Sequence, residues 1–153
     1  MGDKAKSGDG VTRADSPRWL TMASAVLFVT ELDRSLAFYE ELLGWSVTVQ
    51  DDAVALLVSP DGMQLYLRSG GPSLQHPLGQ VGIQYLIWTA IDEADLRRCE
   101  LFLHENSTRV TKTKCEVFNL VEGRGPDNLP IVITYPGPSQ AARSRIMQRI
   151  YEW

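Results

Sequence analysis

Polar and aromatic side chains alternate with aliphatic ones along the run Met63-Gln64-Leu65-Tyr66-Leu67-Arg68. In a strand, this alternation places an amide, a phenol and a guanidinium on one face and apolar side chains on the other. Such groups can orient a small organic ligand by hydrogen bonds, while an aromatic ring supplies contact area. None is a base that titrates near neutral pH, as acid–base catalysis requires. The run indicates ligand binding rather than proton transfer.

Metal-ligating side chains are sparse in the chain. Its two histidines are His76, in a segment rich in glycine and proline, and His104, near the end of a predicted helix. Its two cysteines, Cys99 and Cys115, lack the spacing of a zinc site, and small buried thiols are the ordinary interpretation of such residues. The sequence therefore offers no cluster of imidazole or thiolate groups.

The predicted strands and helices that position these side chains belong to two weakly similar segments, and the second segment follows the first at an offset of 60 to 66 positions. Copy one covers residues 23–69 and copy two residues 83–136. Asp33 and Asp92 are predicted to cap the two helices, which Gly44 and Asn106 end. Predicted strands then follow in each copy, at about 109–114, 115–121 and 129–135 in the second. Two strand–helix–three-strand modules predict an α+β domain with a cleft between its halves.

Composition limits the rest of the interpretation. A chain of 153 residues with 44% hydrophobic content can bury one core without disulfides. We predict a flexible tail at 1–18, a single domain at 19–137 and an amphipathic C-terminal helix at 138–153, which could pack on the body or on a partner. The net charge of −4 lacks a basic patch, which argues against nucleic acid and anionic membranes as partners. The chain has no apolar run of membrane length and no secretion signal, and this predicts a cytoplasmic protein.

Residues 26–45, VLFVTELDRSLAFYEELLGW, resemble the opening module of the vicinal oxygen chelate superfamily of glyoxalases, bleomycin resistance proteins and extradiol dioxygenases. Residues 125–131, GPDNLPI, are similar to a degraded form of its second turn and closing strand. The resemblance implies two βαβββ modules whose eight strands form a curved mixed sheet, with helices outside and the ligand site on the concave face. It also implies a homodimer, because clefts in this family are commonly completed between chains.

In the metal enzymes of that family, a divalent ion is held at four places, which in this chain hold Ser24, Tyr66, Gln84 and Val132. A hydroxyl, a phenol, an amide and an isopropyl group cannot replace the imidazole and carboxylate donors of such a site. We therefore predict no metal and no other cofactor.

If those four positions point into the cleft, alternation along each strand predicts the other inward residues. The predicted ligand-binding set is Ser24, Phe28, Gln64, Tyr66, Arg68, Gln84, Trp88 and Thr134. The opposite set is apolar and is predicted to form the core: Ala25, Leu27, Val29, Met63, Leu65, Leu67, Tyr85, Ile87, Ile131 and Ile133. Plainer roles stay open, since Trp88 and Phe28 could simply fill the cleft and Arg68 could pair with a carboxylate.

Three functions follow as hypotheses. The favoured one is a metal-free protein that sequesters a small aromatic or amphiphilic ligand. The second is a lyase, isomerase or dioxygenase of the same superfamily with a displaced metal site. The third is an interaction module whose cleft is filled by its own side chains.

Overall fold

A computed structural model describes residues 20–75 and 79–137 of the chain. The first module comprises β1 (Ser24–Val29), α1 (Leu32–Leu43), β2 (Ser46–Gln50), β3 (Val54–Val58) and β4 (Gln64–Ser69). The second comprises β5 (Leu86–Thr89), α2 (Glu93–Asn106), β6 (Thr111–Lys114), β7 (Asn119–Arg124) and β8 (Pro130–Tyr135), with a short 3-10 helix at Pro126–Asn128. The predicted pair of βαβββ modules in an α+β fold is confirmed. The predicted tail, the predicted C-terminal helix and His76 lie outside the described residues.

Each module forms a four-stranded mixed sheet with the same topology. The strand orders are β1-β4-β3-β2 and β5-β8-β7-β6, so β1 and β5 are edge strands of their own sheets. The first strand of each module runs parallel to the last, and the other pairs are antiparallel. A parallel pair needs a long crossover, and the helix with the two following strands supplies it. We call the sheet face opposite the helices the concave face.

The N-cap of helix α1 lies two residues before the predicted one. Glu31 is the N-cap residue in extended backbone (φ −129°), and Asp33 lies in the first turn. Asp33 there faces the positive end of the helix dipole, which explains its helix-start signal without a capping role. The predicted stop is confirmed, since Gly44 is left-handed (φ 66°) and its N–H donates to the Glu40 carbonyl at 2.9 Å.

Helix α2 follows the prediction closely. The Asp92 carboxylate caps it by accepting from the Asp95 N–H at 2.7 Å. The helix ends at Asn106, whose side-chain amide donates to the Phe102 carbonyl at 2.9 Å. The following strands are shorter and begin later than predicted, β7 most of all. Its start is delayed because residues 115–118 form a turn in which the Cys115 N–H donates to the Phe118 carbonyl.

One apolar core lies between the sheets and the helices and joins the modules. Fully buried residues of both sheets, such as Leu65, Leu67 and Ile131, pack there against the helices, from which Leu96 and Leu103 of α2 are also fully buried. The helices also touch each other: the Phe38 and Phe102 rings lie 5.3 Å apart, and Arg98 donates to the Leu42 carbonyl at 2.9 Å. In the described part of the chain, neither helix has the length and apolarity that a membrane crossing needs.

Candidate functional site

A pocket of about 490 Å³ lies between β1 and the segment that leads into β5. β1 and β5 are edge strands of the two sheets, so the pocket occupies the seam between the two modules. Most of its wall is hydrocarbon, from Met22, Val26, Phe28, Leu74, Ile83, Leu86 and Leu129. Ser24, Thr30, Gln75, Gln84, Tyr85 and Asp127 add polar groups. A largely apolar pocket with few polar groups is the usual form of a small-molecule site.

The amide of Gln84 is held by its own loop. Its oxygen accepts from the Gly79 N–H at 2.5 Å. Its nitrogen donates to the Gln80 and Gly82 carbonyls at 2.7 and 2.9 Å. Gln84 therefore shapes the entry to β5, and a ligand would have to compete with three protein groups for its amide.

Asp127 and Thr30 tie the modules together at one end of the pocket. The Asp127 carboxylate accepts the Thr30 N–H at 3.1 Å and also the Thr30 hydroxyl. Asp127 and Asn128 both have φ 60°, a conformation that few residues other than glycine adopt. Behind this turn, burial and the charge of Asp127 raise the pKa of the Tyr39 phenol far above its usual value.

The concave face of the first module is open. Val26 and Phe28 are 59% and 61% exposed, and the register places Tyr66 and Arg68 beside them. The Arg68 guanidinium lies 5.6 Å from the centre of the Phe28 ring. In contrast, Val132 on the concave face of the second module is fully buried. The two halves of the fold thus offer very different surfaces to a ligand.

Comparison with known proteins identifies the family. Residues 21–118 match the model of the glyoxalase/bleomycin resistance protein/dioxygenase superfamily. The chain belongs to this superfamily. No curated protein matches it.

Solved structures of glyoxalase/bleomycin resistance/dioxygenase proteins share the fold. A domain of this type from Frankia sp. has a TM-score of 0.65 at 22% identity, over 76% of this chain and 98% of that one. A glyoxalase/dioxygenase from Nostoc punctiforme gives 0.60 at 20% identity, over 87% and 97%. A lactoylglutathione lyase from Agrobacterium tumefaciens gives 0.57 at 18% identity, over 78% and 95%.

The four places that hold a metal in enzymes of the glyoxalase superfamily do not suit one in this chain. Val132 is buried hydrocarbon, and the Tyr66 phenol donates to Gln64 at 3.1 Å. Ser24 and the loop-bound Gln84 are neutral donors. Zinc and other transition-metal ions in proteins are held mainly by imidazole, thiolate or carboxylate groups. The described residues contain no group of three His, Cys, Asp or Glu side chains that could hold an ion.

Three of the eight predicted ligand-binding residues line the pocket: Ser24, Phe28 and Gln84. Gln64, Tyr66 and Arg68 share the concave face of the first module with Ser24 and Phe28, as the register predicts. Thr134 lies on the concave face of the second module but is fully buried, and its hydroxyl donates to the Trp88 carbonyl at 3.3 Å. Ligand binding by these residues remains a prediction.

The predicted position of Trp88 is wrong. Trp88 pairs with Ile133 and packs against the core on the helix side, and not on the concave face. Tyr85 and Ile87, predicted as core, take the opposite face, where Tyr85 packs against Val132. Both faces of β5 are apolar, so hydrophobicity could not decide between the two registers. The prediction used Gln84 to set the register of β5, but Gln84 precedes that strand and its amide bonds to a loop.

Tyr85 and Glu122 were missed as site residues. Glu122 lies next to Val132 in the sheet, is only 8% exposed, and accepts the Thr111 hydroxyl at 3.0 Å. Tyr85 lines the pocket, and burial together with the charge of Glu122 raises the pKa of its phenol. A carboxylate therefore lies on the concave face of the second module. The sequence did carry a signal for Glu122, which is an acidic residue directly after the apolar pair Leu120-Val121.

Proposed function

We propose that this protein binds a small aromatic or amphiphilic molecule in the pocket at the seam between its modules, without a metal ion. The pocket, at about 490 Å³, falls within the roughly 300–1,000 Å³ of sites that hold drug-sized ligands. Its wall is mainly apolar, which suits a ligand body with a ring or chain. This pocket is the single observation that carries the proposal.

Phe28 and Val26 give this pocket its contact surface. Both are more than half exposed, so a ligand that covers them removes apolar area from water. The Ser24 hydroxyl lines the same wall and can accept or donate one hydrogen bond. The Asp127–Thr30 pair closes the seam at one end and need not break for a ligand to enter.

The test uses N-phenyl-1-naphthylamine, a neutral aromatic dye that fluoresces in apolar surroundings. The wild-type protein should bind it saturably, and Val26→Asp should abolish binding by placing a charge in the pocket. Leu101→Asp is the matched control, because Leu101 is 58% exposed on α2 and does not line the pocket. Absence of saturable binding by the wild-type chain, or equal loss in both variants, would contradict the proposal.

We also propose that the protein is a homodimer. The open concave face of the first module exposes Val26, Phe28 and Val49, and a second copy could cover part of it. Light scattering at micromolar concentration should give twice the mass of 17.1 kDa. A monomer would contradict this proposal and leave the pocket proposal intact. A cytoplasmic location likewise stays a prediction.

An enzyme remains the second candidate because of Glu122. A buried carboxylate beside a phenol is an arrangement that can transfer protons, as in a lyase or isomerase. The relative from Agrobacterium tumefaciens is described as a lactoylglutathione lyase. Lactoylglutathione cleavage by the wild-type chain, lost in Glu122→Gln, would favour this candidate over simple binding.

The third candidate, an interaction module, is supported by the concave face of the second module. Leu120 and Val132 there are fully buried, so this half of the cleft is filled. If no small molecule shifts the melting temperature in a broad thermal screen, this candidate gains over binding.

A further inference from the structure

Polar groups that line the pocket are largely used by the protein itself. Both oxygens of the Asp127 carboxylate accept hydrogen bonds from Thr30. The Gln84 amide bonds to three backbone groups of its loop. A ligand that needs strong polar recognition must find it outside these two side chains.

Arg68 is the charged group that is best placed to supply this recognition. It pairs with Phe28 on β1 and with Val54 on β3, so its nearest cross-strand neighbours are apolar. Its side chain is exposed, and its guanidinium lies 5.6 Å from the centre of the Phe28 ring. Phe28 in turn lines the pocket, so the cation lies beside a residue of the pocket wall.

Among the residues that the structure describes, Arg68 has no ion-pair partner. The ion pairs found within residues 20–75 and 79–137 join Arg98 to Asp95 and Lys112 to Glu100, and Arg68 takes part in neither. A guanidinium over an aromatic ring is held by a cation–π contact. Its N–H groups remain able to bind an oxyanion. The chain as a whole is negative, with a net charge of −4, so a local cation makes this place more favourable for an anion than the rest of the surface.

We propose that the ligand of the seam pocket is an anionic amphiphile, with its apolar body in the pocket and its carboxylate or sulfonate at Arg68. The inference rests on the proposed function, since it requires that the pocket bind a small molecule. The body covers Val26 and Phe28, and the head group reaches past the Phe28 ring to the guanidinium. Aromatic and long-chain carboxylic acids have this form.

The experiment compares two dyes with the same aromatic body, neutral N-phenyl-1-naphthylamine and anionic 8-anilino-1-naphthalenesulfonate. Wild type should bind the anion about tenfold more tightly than the neutral dye, which corresponds to one good charge-assisted hydrogen bond. Arg68→Gln should weaken binding of the anion by about tenfold and change binding of the neutral dye by less than about twofold. Arg68→Lys keeps the charge without the fork and should give an intermediate loss for the anion alone.

Arg97→Gln is the matched control, because Arg97 is an exposed arginine on α2 away from the pocket. It removes the same charge and should leave binding of both dyes unchanged. Equal loss of anion binding in Arg97→Gln and Arg68→Gln would show general charge attraction and overturn the inference. Equal affinity of wild type for the two dyes would also overturn it, with the proposed function intact. If neither dye binds, the proposed function itself fails.

Discussion

The ring of Trp88 meets the ring of Trp45 edge-on, with centroids 5.9 Å apart and planes at 82°. Trp88 comes from the first strand of the second module, and Trp45 lies between α1 and β2 of the first. This contact therefore joins the two modules beneath the helices. It makes Trp88 a structural residue and takes it out of the ligand pocket.

Trp88→Ala should destabilise the fold by about 3 kcal/mol, because it leaves a cavity where the core meets Trp45. Phe28→Ala is the comparison, since Phe28 is 61% exposed and its loss should cost less than about 1 kcal/mol. Urea unfolding followed by circular dichroism measures both. A smaller effect for Trp88 than for Phe28 would show that the core contact is unimportant.

The link between Thr30 and Asp127 should contribute to stability across the seam. Asp127→Ala removes an acceptor of two hydrogen bonds and puts alanine at φ 60°, so we expect a loss of about 1–2 kcal/mol. Asp127→Asn keeps one acceptor oxygen and a residue that tolerates this conformation, and should lose less. Equal unfolding free energies for Asp127→Ala and wild type would be the contrary result.

Stability should fall at alkaline pH because of Tyr39. Burial and the charge of Asp127 raise the pKa of the folded phenol, while in the unfolded chain it ionises near pH 10, about its ordinary value. Below about pH 10 the neutral phenol contributes its full stabilisation to the folded state. Above it only the unfolded state loses the proton, and stability falls by about 1.4 kcal/mol per pH unit. Tyr39→Phe should show a shallower fall above pH 10, which urea unfolding from about pH 9 to 11 can measure.

Added metal should not stabilise the protein. A divalent ion at a concentration 100 times its dissociation constant would add about 2.7 kcal/mol to the unfolding free energy, which is several degrees in melting temperature. With Ser24, Tyr66, Gln84 and Val132 at the four family positions, we expect shifts of less than about one degree from zinc, nickel or manganese after treatment with a chelator. Elemental analysis showing nearly one ion per chain as purified would contradict this expectation.

The sequence predicted the first module far better than the second. Along β4, polar Gln64 and Arg68 alternate with Leu65 and Leu67, so burial energy selects one register. Along β5, Leu86, Ile87 and Trp88 are all apolar, and either register buries hydrocarbon. Hydrophobic pattern alone cannot choose between faces in such a strand.

The candidate site was predictable only in part for a related reason. Residues such as Ser24 and Phe28 follow from alternation along a single strand. Tyr85 and Asp127 line the pocket because the edges of two sheets meet there, and that meeting depends on contacts between residues far apart in the chain. The contact of Thr30 with Asp127 spans 97 positions. No local pattern carries such information.

The placement of β1 and β5 at the edges of separate sheets has a consequence for motion. Each four-stranded sheet is complete by itself. A rotation of one module against the other would therefore break no strand pair. This rotation is resisted by the apolar core that the modules share, by the Trp45–Trp88 contact, by the helix contacts and by the bonds of Asp127. We expect such a rotation to change the width of the pocket, so that ligands of different thickness are accommodated by a change of angle rather than by repacking of either half.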